Sequence, residues 1–369
     1  MGVSAAILVA GAAIIAATIV LLLIFFFVFG FDEIGTSTAI TRASPQLGIL
    51  AGADQLRATA TVNEVRATNT QVLPTSTPQA TGTLTVTPAP ATSTIEPTPP
   101  TPTPTPRRIN SLNQDEFIVL PDEVRKRIIQ IHVVGQQIGR NAKAFSRLGT
   151  SIVDTRHFLG RWDEGPYDLG PFEYLEATVA YYSGSFSRIG EATQRGLSTW
   201  TVFNPQWADR DDCLANETMV DCEFRLHNPS ILLIFLGTND TGAGPTFEKN
   251  YRELINYVID SGVIPVLVTK ADRFEGRDNR NNKIIRELAA EYQIPLWDYD
   301  KLASTIPGRG LGGDKVHMTL FDRYDYAVPE AYVRGYGLFN LSALIMLDAI
   351  RNEIISAERS GEIPAQQKR

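Results

Sequence analysis

Two short polar segments carry the residue types that a nucleophilic active site needs. Ser151 follows Gly149 and Thr150 at the end of a predicted strand, where its hydroxyl would project from the carboxyl edge of a sheet. A serine attacks poorly at neutral pH unless a base removes its proton. His317 can be that base, because Asp314, three residues earlier, can accept from one ring nitrogen and leave the other free. Taken singly, Ser151 also fits a helix cap and the Asp-His segment a surface loop.

Two further positions could stabilise the negative charge that such an attack creates. Asn239 follows the apolar run ILLIFL within the segment GTND, and its side-chain amide can donate a hydrogen bond to an oxyanion. Gly184, in YYSGSFSR, offers an unhindered backbone N–H for the same purpose. The alternatives are that Asn239 is a turn residue and that Gly184 is an ordinary loop glycine.

The elements that must position these residues alternate between strands and helices. The unbroken apolar run from Ile231 predicts a strand that is buried on both faces, and a short strand from about Ala144 to Leu148 precedes it. This alternation favours parallel βαβ crossovers. The predicted fold class is therefore α/β, a three-layer α/β/α sandwich with a mostly parallel, doubly wound sheet of flavodoxin-like type. Further strands are predicted in VIPVLVTK and IPLWDYD, and helices in PDEVRKRIIQIHVVGQQIG, from about Phe247 to Ser261, from Asn279 to Tyr292 and, amphipathic, from Leu338 to Ile355.

The order of the polar segments resembles that of the SGNH hydrolases, also called the GDSL esterase/lipase superfamily. The resemblance covers most of residues 140–320. It rests on four blocks, which are Gly149-Thr150-Ser151, Gly184, Gly237-Thr238-Asn239-Asp240 and Asp314-Lys315-Val316-His317.

This resemblance implies a role for each block. Ser151 would be the nucleophile of a triad with His317 and Asp314, and no metal or organic cofactor is implied. The oxyanion hole would consist of the amides of Ser151 and Gly184 and the side chain of Asn239. One position departs from the family's Gly-Asp-Ser pattern: Thr150 can supply a hydrogen bond but no charge beside the nucleophile.

The function predicted on this basis is hydrolysis of a carboxylic ester, such as an acetyl group on a polysaccharide or a smaller ester-bearing molecule. The rival hypothesis is a surface glycan-binding module that keeps the scaffold but has lost catalysis, with Thr150 as the first sign of that loss. Aromatic residues after Ser151 either stack on sugar rings at the cleft mouth or form a satellite core. They are Phe158, Trp162, Tyr167, Phe172 and Tyr174.

The amino-terminal third of the chain has a different composition. Residues 5–31 carry no charge and are long enough to cross a bilayer, so residues 1–34 are predicted to be a single-pass membrane anchor. A cleaved signal peptide is the alternative. Residues 35–107, rich in Thr and Pro, predict a disordered linker, and residues 108–369 the hydrolase-like domain. The linker favours a domain outside the cytoplasm, although the flanking charges leave the opposite orientation open.

The remaining features narrow the function further. The formal net charge is −7 and the basic residues are scattered, which excludes a nucleic-acid-binding face. Cys213 and Cys222 are close enough to form a disulfide in an exported domain, with two reduced thiols as the alternative. Of the other histidines, His132 and His227 are predicted to be structural, whereas His157, six residues after Ser151, could line the pocket. The sequence gives no oligomeric state.

Overall fold

The computed structural model describes residues 108–242 and 244–363. Its strands are β1 (Arg108–Ile109), β2 (Leu112–Asn113), β3 (Ile118–Val119), β4 (Asn141–Gly149), β5 (Pro229–Phe235), β6 (Ile264–Val268) and β7 (Leu296–Trp297). Five of them form the central sheet in the order β3-β7-β6-β5-β4. Strands β4 to β7 are parallel, and the edge strand β3 is antiparallel to β7. The predicted α/β class with a mostly parallel central sheet is confirmed.

Strand β5 lies inside the sheet, between β4 and β6. All of its residues are buried, as the unbroken apolar run predicts for a strand that is covered on both faces. The order of the parallel strands follows the chain from β4 to β7. Beyond β4, the described sheet continues only as a single parallel bridge between Gly149 and Thr193.

The helices cover both faces of this sheet. They are α1 (Asp122–Gln137), α2 (Arg161–Glu164), α3 (Glu176–Tyr181), α4 (Met219–His227), α5 (Pro245–Asp260), α6 (Arg280–Tyr292), α7 (Tyr299–Ala303) and α8 (Gly335–Ser360). Helices α1 and α8 contact each other, and α5 and α6 form a second contacting pair that packs on β6. Short 3₁₀ helices occupy Gln114–Glu116, Gly170–Leu175, Pro205–Trp207, Pro307–Gly310 and Pro329–Tyr332.

Helix α8 differs from the amphipathic helix that its sequence predicts. Every residue from Gly335 to Asp348 is buried, so the first half of α8 lacks a solvent-facing side. The helix contacts α1, α3, α7, the strand β7 and three of the 3₁₀ helices. A helix that is apolar on all sides belongs in the core, and here the loops that follow β4 and β7 supply the additional cover.

Most other predicted elements are present, with different ends. Strand β4 begins three residues before the predicted Ala144, and α5 begins two residues before Phe247. The predicted strand IPLWDYD is wrong in its second half, because β7 ends at Trp297 and α7 begins at Tyr299. The Asp298 between them donates its N–H to the carbonyl of Phe117.

Cys213 and Cys222 form a disulfide, as their short spacing predicts. The bond joins a loop to α4, whose first turn is fixed by reciprocal hydrogen bonds between Thr218 and Asp221. Within the residues that the structure describes, no helix combines the length and apolar character that crossing a bilayer requires. The predicted anchor (1–34) and linker (35–107) lie outside those residues.

Candidate active site

Ser151, His317 and Asp314 lie in hydrogen-bond contact with one another. The distance from Ser151 Oγ to His317 Nε2 is 2.9 Å, and the distance from His317 Nδ1 to Asp314 Oδ2 is 2.6 Å. The hydrogen bond from His317, together with the N–H groups of Val316 and His317, lowers the pKa of Asp314 to about 2. The carboxylate therefore stays charged and fixes the histidine tautomer that leaves Nε2 free to accept the serine proton.

The end of β4 sets the position of Ser151. Gly149 lies so close to β5 that a Cβ atom on it would be 2.6 Å from the carbonyl oxygen of Phe235. Only glycine permits this approach, which brings the next two residues to the carboxyl edge beside the end of β5. The carbonyl of Thr150 then accepts the N–H groups of Val153 and Asp154, and this turn lifts Ser151 out of the sheet.

The loop from Gly310 to Thr319 holds His317. Its two sides are joined by backbone hydrogen bonds from Gly312 N to His317 O (2.7 Å) and from Thr319 N to Gly310 O (2.8 Å). Lys315, at the tip, adopts a positive φ of 61°. The loop remains at the surface, where about half of each of the His317 and Asp314 side chains is exposed, at 54% and 52%.

Asn239 lies beside Thr150 at the adjoining end of β5. Its Nδ2 atom donates to Thr150 Oγ1 at 3.1 Å and to the carbonyl of Leu197 at 2.9 Å. The N–H of Gly196 also donates to Thr150 Oγ1, at 3.2 Å. Thr150 is 2% exposed, so its hydroxyl is a buried acceptor on which an amide side chain and a backbone N–H converge next to the serine.

The prediction for Gly184 is wrong. Its N–H donates to Asp163 Oδ1 at 2.8 Å and is therefore not free for an oxyanion. The hydroxyl of the next residue, Ser185, accepts the N–H of Phe145 in the middle of β4, whereas Ser151 lies beyond the carboxyl end of that strand. Gly196 is the glycine that reaches the site, because Gln194 and Ala192 pair with the backbone of Gly149. In the sequence, glycines stand at positions 184, 190 and 196, and no pattern distinguishes these three.

Buried hydrogen bonds and an ion pair hold the two residues that flank Asn239. Thr238 Oγ1 donates to Asp272 Oδ2 at 2.8 Å, and the fully buried Lys270 contacts the other oxygen of this carboxylate at 2.7 Å. On the other side, Asp240 Oδ1 accepts from the backbone and the hydroxyl of Thr199. Because both neighbours of Asn239 are held in this way, the position of its amide does not depend on a flexible turn.

A cleft of about 480 Å³ opens above Ser151 and His317. His157 lines it, as predicted, whereas His132 is buried in α1 and His227 contacts Ser185 and the carbonyl of Phe145. Burial lowers the pKa of His132 to about 4, so this ring is neutral at physiological pH. The cleft is lined by Ser151, Thr155, His157, Arg195, His317, Met318, Leu320 and Tyr336.

The aromatic residues after Ser151 contribute to the core rather than to the cleft mouth. Phe158, Trp162 and Phe172 are buried, and Tyr167 and Tyr174 are partly buried against the same cluster. Of the two interpretations, the satellite core is the one that the structure supports.

Glu191 lies near the sulfur atoms of Cys213 and Cys222. Those sulfurs are joined in a disulfide, which lacks the thiolates that bind metals.

The solved structures that match part of the chain include esterases, at low identity and low TM-score. One is a putative lipolytic protein of the G-D-S-L family from Desulfitobacterium hafniense, with 14% identity and a TM-score of 0.35; the match covers 55% of this chain and 99% of that one. Another is an acetylxylan esterase from Geobacillus stearothermophilus, with 15% identity and a TM-score of 0.35, covering 57% of this chain and 94% of that one. No curated protein matches the chain.

The family model gives a more specific result. Residues 148–320 match the model of the GDSL-like Lipase/Acylhydrolase family. The matched segment begins just before Ser151, includes Asn239, and ends just after His317. The segment is therefore similar to the GDSL-like lipase/acylhydrolase family, and this similarity supports an ester-hydrolysing serine hydrolase.

Proposed function

We propose that the protein is a membrane-anchored, extracytoplasmic carbohydrate O-acetyl esterase that acts through an acyl-serine intermediate. The observation that carries this proposal is the line of contacts from Ser151 through His317 to Asp314 in an exposed cleft. An ester on the surface of a large, hydrated polymer can reach such a site. A long acyl chain would instead need a deep apolar tunnel.

The proposed reaction begins with attack of Ser151 Oγ on the ester carbonyl while His317 Nε2 takes the serine proton. Asp314 stabilises the imidazolium that results. His317 then protonates the leaving alcohol oxygen, and the acyl group stays on Ser151. Water attacks this acyl-enzyme with His317 again acting as base, which releases acetate and restores the serine.

The negative charge on the carbonyl oxygen requires hydrogen-bond donors. The side-chain amide of Asn239 keeps its predicted role, the N–H of Gly196 takes the place of that of Gly184, and the N–H of Ser151 is the third donor that the family resemblance implies. Asn239 and Gly196 both donate to Thr150 Oγ1 in this structure. On substrate binding, each N–H has to be shared between that hydroxyl and the oxyanion.

The cellular placement is a separate part of the proposal. The disulfide between Cys213 and Cys222 supports it, because such bonds persist in oxidising compartments. We expect the full chain in the membrane fraction and a variant without residues 1–34 in the soluble fraction. Protease added to intact cells should digest the domain; protection until lysis would contradict the extracytoplasmic orientation.

Activity is tested with the full chain in detergent, using a fluorophosphonate probe and a panel of aryl esters and acetylated glycans. We expect the probe to label the wild type and not Ser151→Ala, and we expect acetyl esters to be hydrolysed faster than octanoyl esters. Ser304→Ala, outside the cleft, serves as the matched control. An unlabelled wild type would support the glycan-binding hypothesis, and a preference for octanoyl esters would contradict the acetyl esterase.

A further inference from the structure

A second Asp–His pair lies at the candidate active site, with its histidine in the lining of the cleft. His157 Nδ1 is 2.6 Å from Asp322 Oδ1, and the ring of His157 lines the same cleft as Ser151 and His317. A ring nitrogen at this distance from a carboxylate oxygen donates its proton to it. In the neutral ring, the other nitrogen, Nε2, is then an acceptor that is available to a ligand.

The backbone around His157 is held in place by buried side chains. Its carbonyl accepts from Tyr324 Oη and Asn340 Nδ2, each at 2.9 Å. Asn340 is fully buried in α8, and its Oδ1 accepts the N–H of Leu159 at 3.0 Å. Leu159 has a positive φ of 66°, which is an unfavourable conformation for a leucine. Strain of this kind persists only where surrounding contacts enforce it, and it often marks functional sites.

His157 also lines a second, smaller cleft of about 190 Å³. The other residues that line this cleft are all charged: Arg156, Arg161, Glu164 and Asp322. A substrate whose ester carbonyl lies at Ser151 can therefore extend past His157 into surroundings with both donors and acceptors. Hydroxyl groups, which both donate and accept, match this mixture better than an apolar group or a group with a single charge.

We propose that His157, oriented by Asp322, is a specificity-determining residue whose Nε2 accepts a hydrogen bond from a hydroxyl next to the ester in the alcohol part of the substrate. The preferred substrates would then be partly acetylated sugars with a free hydroxyl beside the acetyl group. This inference rests on the proposed function, because it states which residue of the same cleft binds the alcohol part of the substrate.

The test uses the full chain and three acetates. The first is 4-nitrophenyl acetate, whose leaving group has no hydroxyl. The second is a methyl glycoside with one acetyl group beside a free hydroxyl, and the third is the same glycoside with that hydroxyl methylated. We expect the wild type to prefer the free hydroxyl by about tenfold in kcat/KM, the effect of one hydrogen bond.

His157→Phe keeps an aromatic ring but removes the acceptor. We expect it to lose the tenfold preference, so that its kcat/KM falls more on the glycoside with the free hydroxyl than on the methylated glycoside or on 4-nitrophenyl acetate. His157→Gln, whose amide oxygen can accept, should restore part of the preference. Asp322→Asn should weaken it, whereas Asp325→Asn, the same substitution in the same loop but outside the cleft, should leave it intact.

The outcomes separate this inference from the proposed function. A wild type that hydrolyses the acetates without discriminating between the two glycosides overturns the inference alone. A His157→Phe variant that loses activity equally on all three acetates also overturns it, because the residue would then serve folding or the chemical step. A wild type that hydrolyses none of the acetates overturns the proposed function, and this inference with it.

Discussion

The hydroxyl oxygen of Thr150 lies 3.1 Å from Nδ2 of Asn239, at the position where the family pattern has aspartate. The same oxygen accepts the N–H of Gly196. A hydroxyl has two acceptor lone pairs, which match these two donors, so the threonine can align them without a charge. The departure from Gly-Asp-Ser therefore keeps an oxygen acceptor at this position, which argues against reading Thr150 as a sign of lost catalysis.

We predict that Thr150→Val lowers kcat by about tenfold or more while KM changes little. Valine has the shape of threonine but leaves the buried N–H groups of Asn239 and Gly196 without their acceptor, so that both donors are misaligned in the transition state. Thr150→Ser keeps the hydroxyl and should stay within about threefold of the wild type. Steady-state kinetics on 4-nitrophenyl acetate measure this, and an unchanged kcat for Thr150→Val would contradict the role.

We predict that Asp314→Asn lowers kcat by about a thousandfold, because an amide can donate to Nδ1 of His317 and select the wrong tautomer. With a pKa of about 2, Asp314 is fully ionised from pH 5 to 9. The wild-type carboxylate therefore supports His317 at every pH in this range, and kcat of both proteins on 4-nitrophenyl acetate measures its loss. Asp122→Asn, at an exposed carboxylate in α1, is the control. A kcat for Asp314→Asn within about tenfold of the wild type would contradict the role of Asp314 in the triad.

We predict that replacing both cysteines by serine lowers the free energy of unfolding by about 2 to 3 kcal/mol, since the disulfide closes only a short loop. The sequence separation of Cys213 and Cys222 is 9. Urea unfolding of both proteins measures the difference. Reductant should destabilise the wild type by a similar amount and leave the double variant unaffected; equal sensitivity of the two proteins to reductant would contradict the assignment.

We predict that Asp300→Asn lowers the free energy of unfolding by about 3 to 5 kcal/mol. This is the cost of removing one charged partner from a buried ion pair and leaving the other without a counter-charge. The carboxylate is 7% exposed and contacts Arg273, Arg286 and Arg309. Burial alone would raise its pKa, but hydrogen bonds from Arg286 and Arg273 hold the pKa below its ordinary value.

The pH dependence of this stabilisation follows from the direction of the shift. A depressed pKa stabilises the fold above the ordinary aspartate value of about 3.9, and this contribution is lost as the pH falls through the folded-state pKa. The difference between wild type and Asp300→Asn in urea unfolding should therefore shrink below pH 4. Glu330→Gln, which removes an exposed pair with Arg334, should cost less than about 1 kcal/mol. Similar costs for the two variants would contradict the buried network.

The parts of the fold that follow from local pattern could be predicted. An apolar run such as that of β5 has few alternatives to a buried parallel strand, and the charged start of α1 gives a clear helix boundary. The burial of α8 on all sides could not be predicted, because it depends on loops and 3₁₀ helices distant in sequence. The end of β7 was also missed, since a two-residue strand followed by a helix has no periodicity of its own.

In the candidate site, too, some features could be predicted from the sequence and others could not. Ser151, Asn239 and the Asp314–His317 pair stand in short segments with recognisable spacing, and the structure brings them to one edge of the sheet. Gly196 and the acceptor role of Thr150 are tertiary features, since they depend on the contact between the chain after Ala192 and the end of β4. The pairing of His157 with Asp322 likewise joins residues that are far apart in sequence.

The exposure of His317 and Asp314 has a consequence for how a polymer would be processed. Because about half of each side chain faces solvent, the serine is approached from the side rather than through the end of a tunnel. A long chain can then lie across the cleft and present any of its acetyl groups without threading a terminus. We therefore expect deacetylation to begin at internal positions of a polysaccharide, with no preference for its ends.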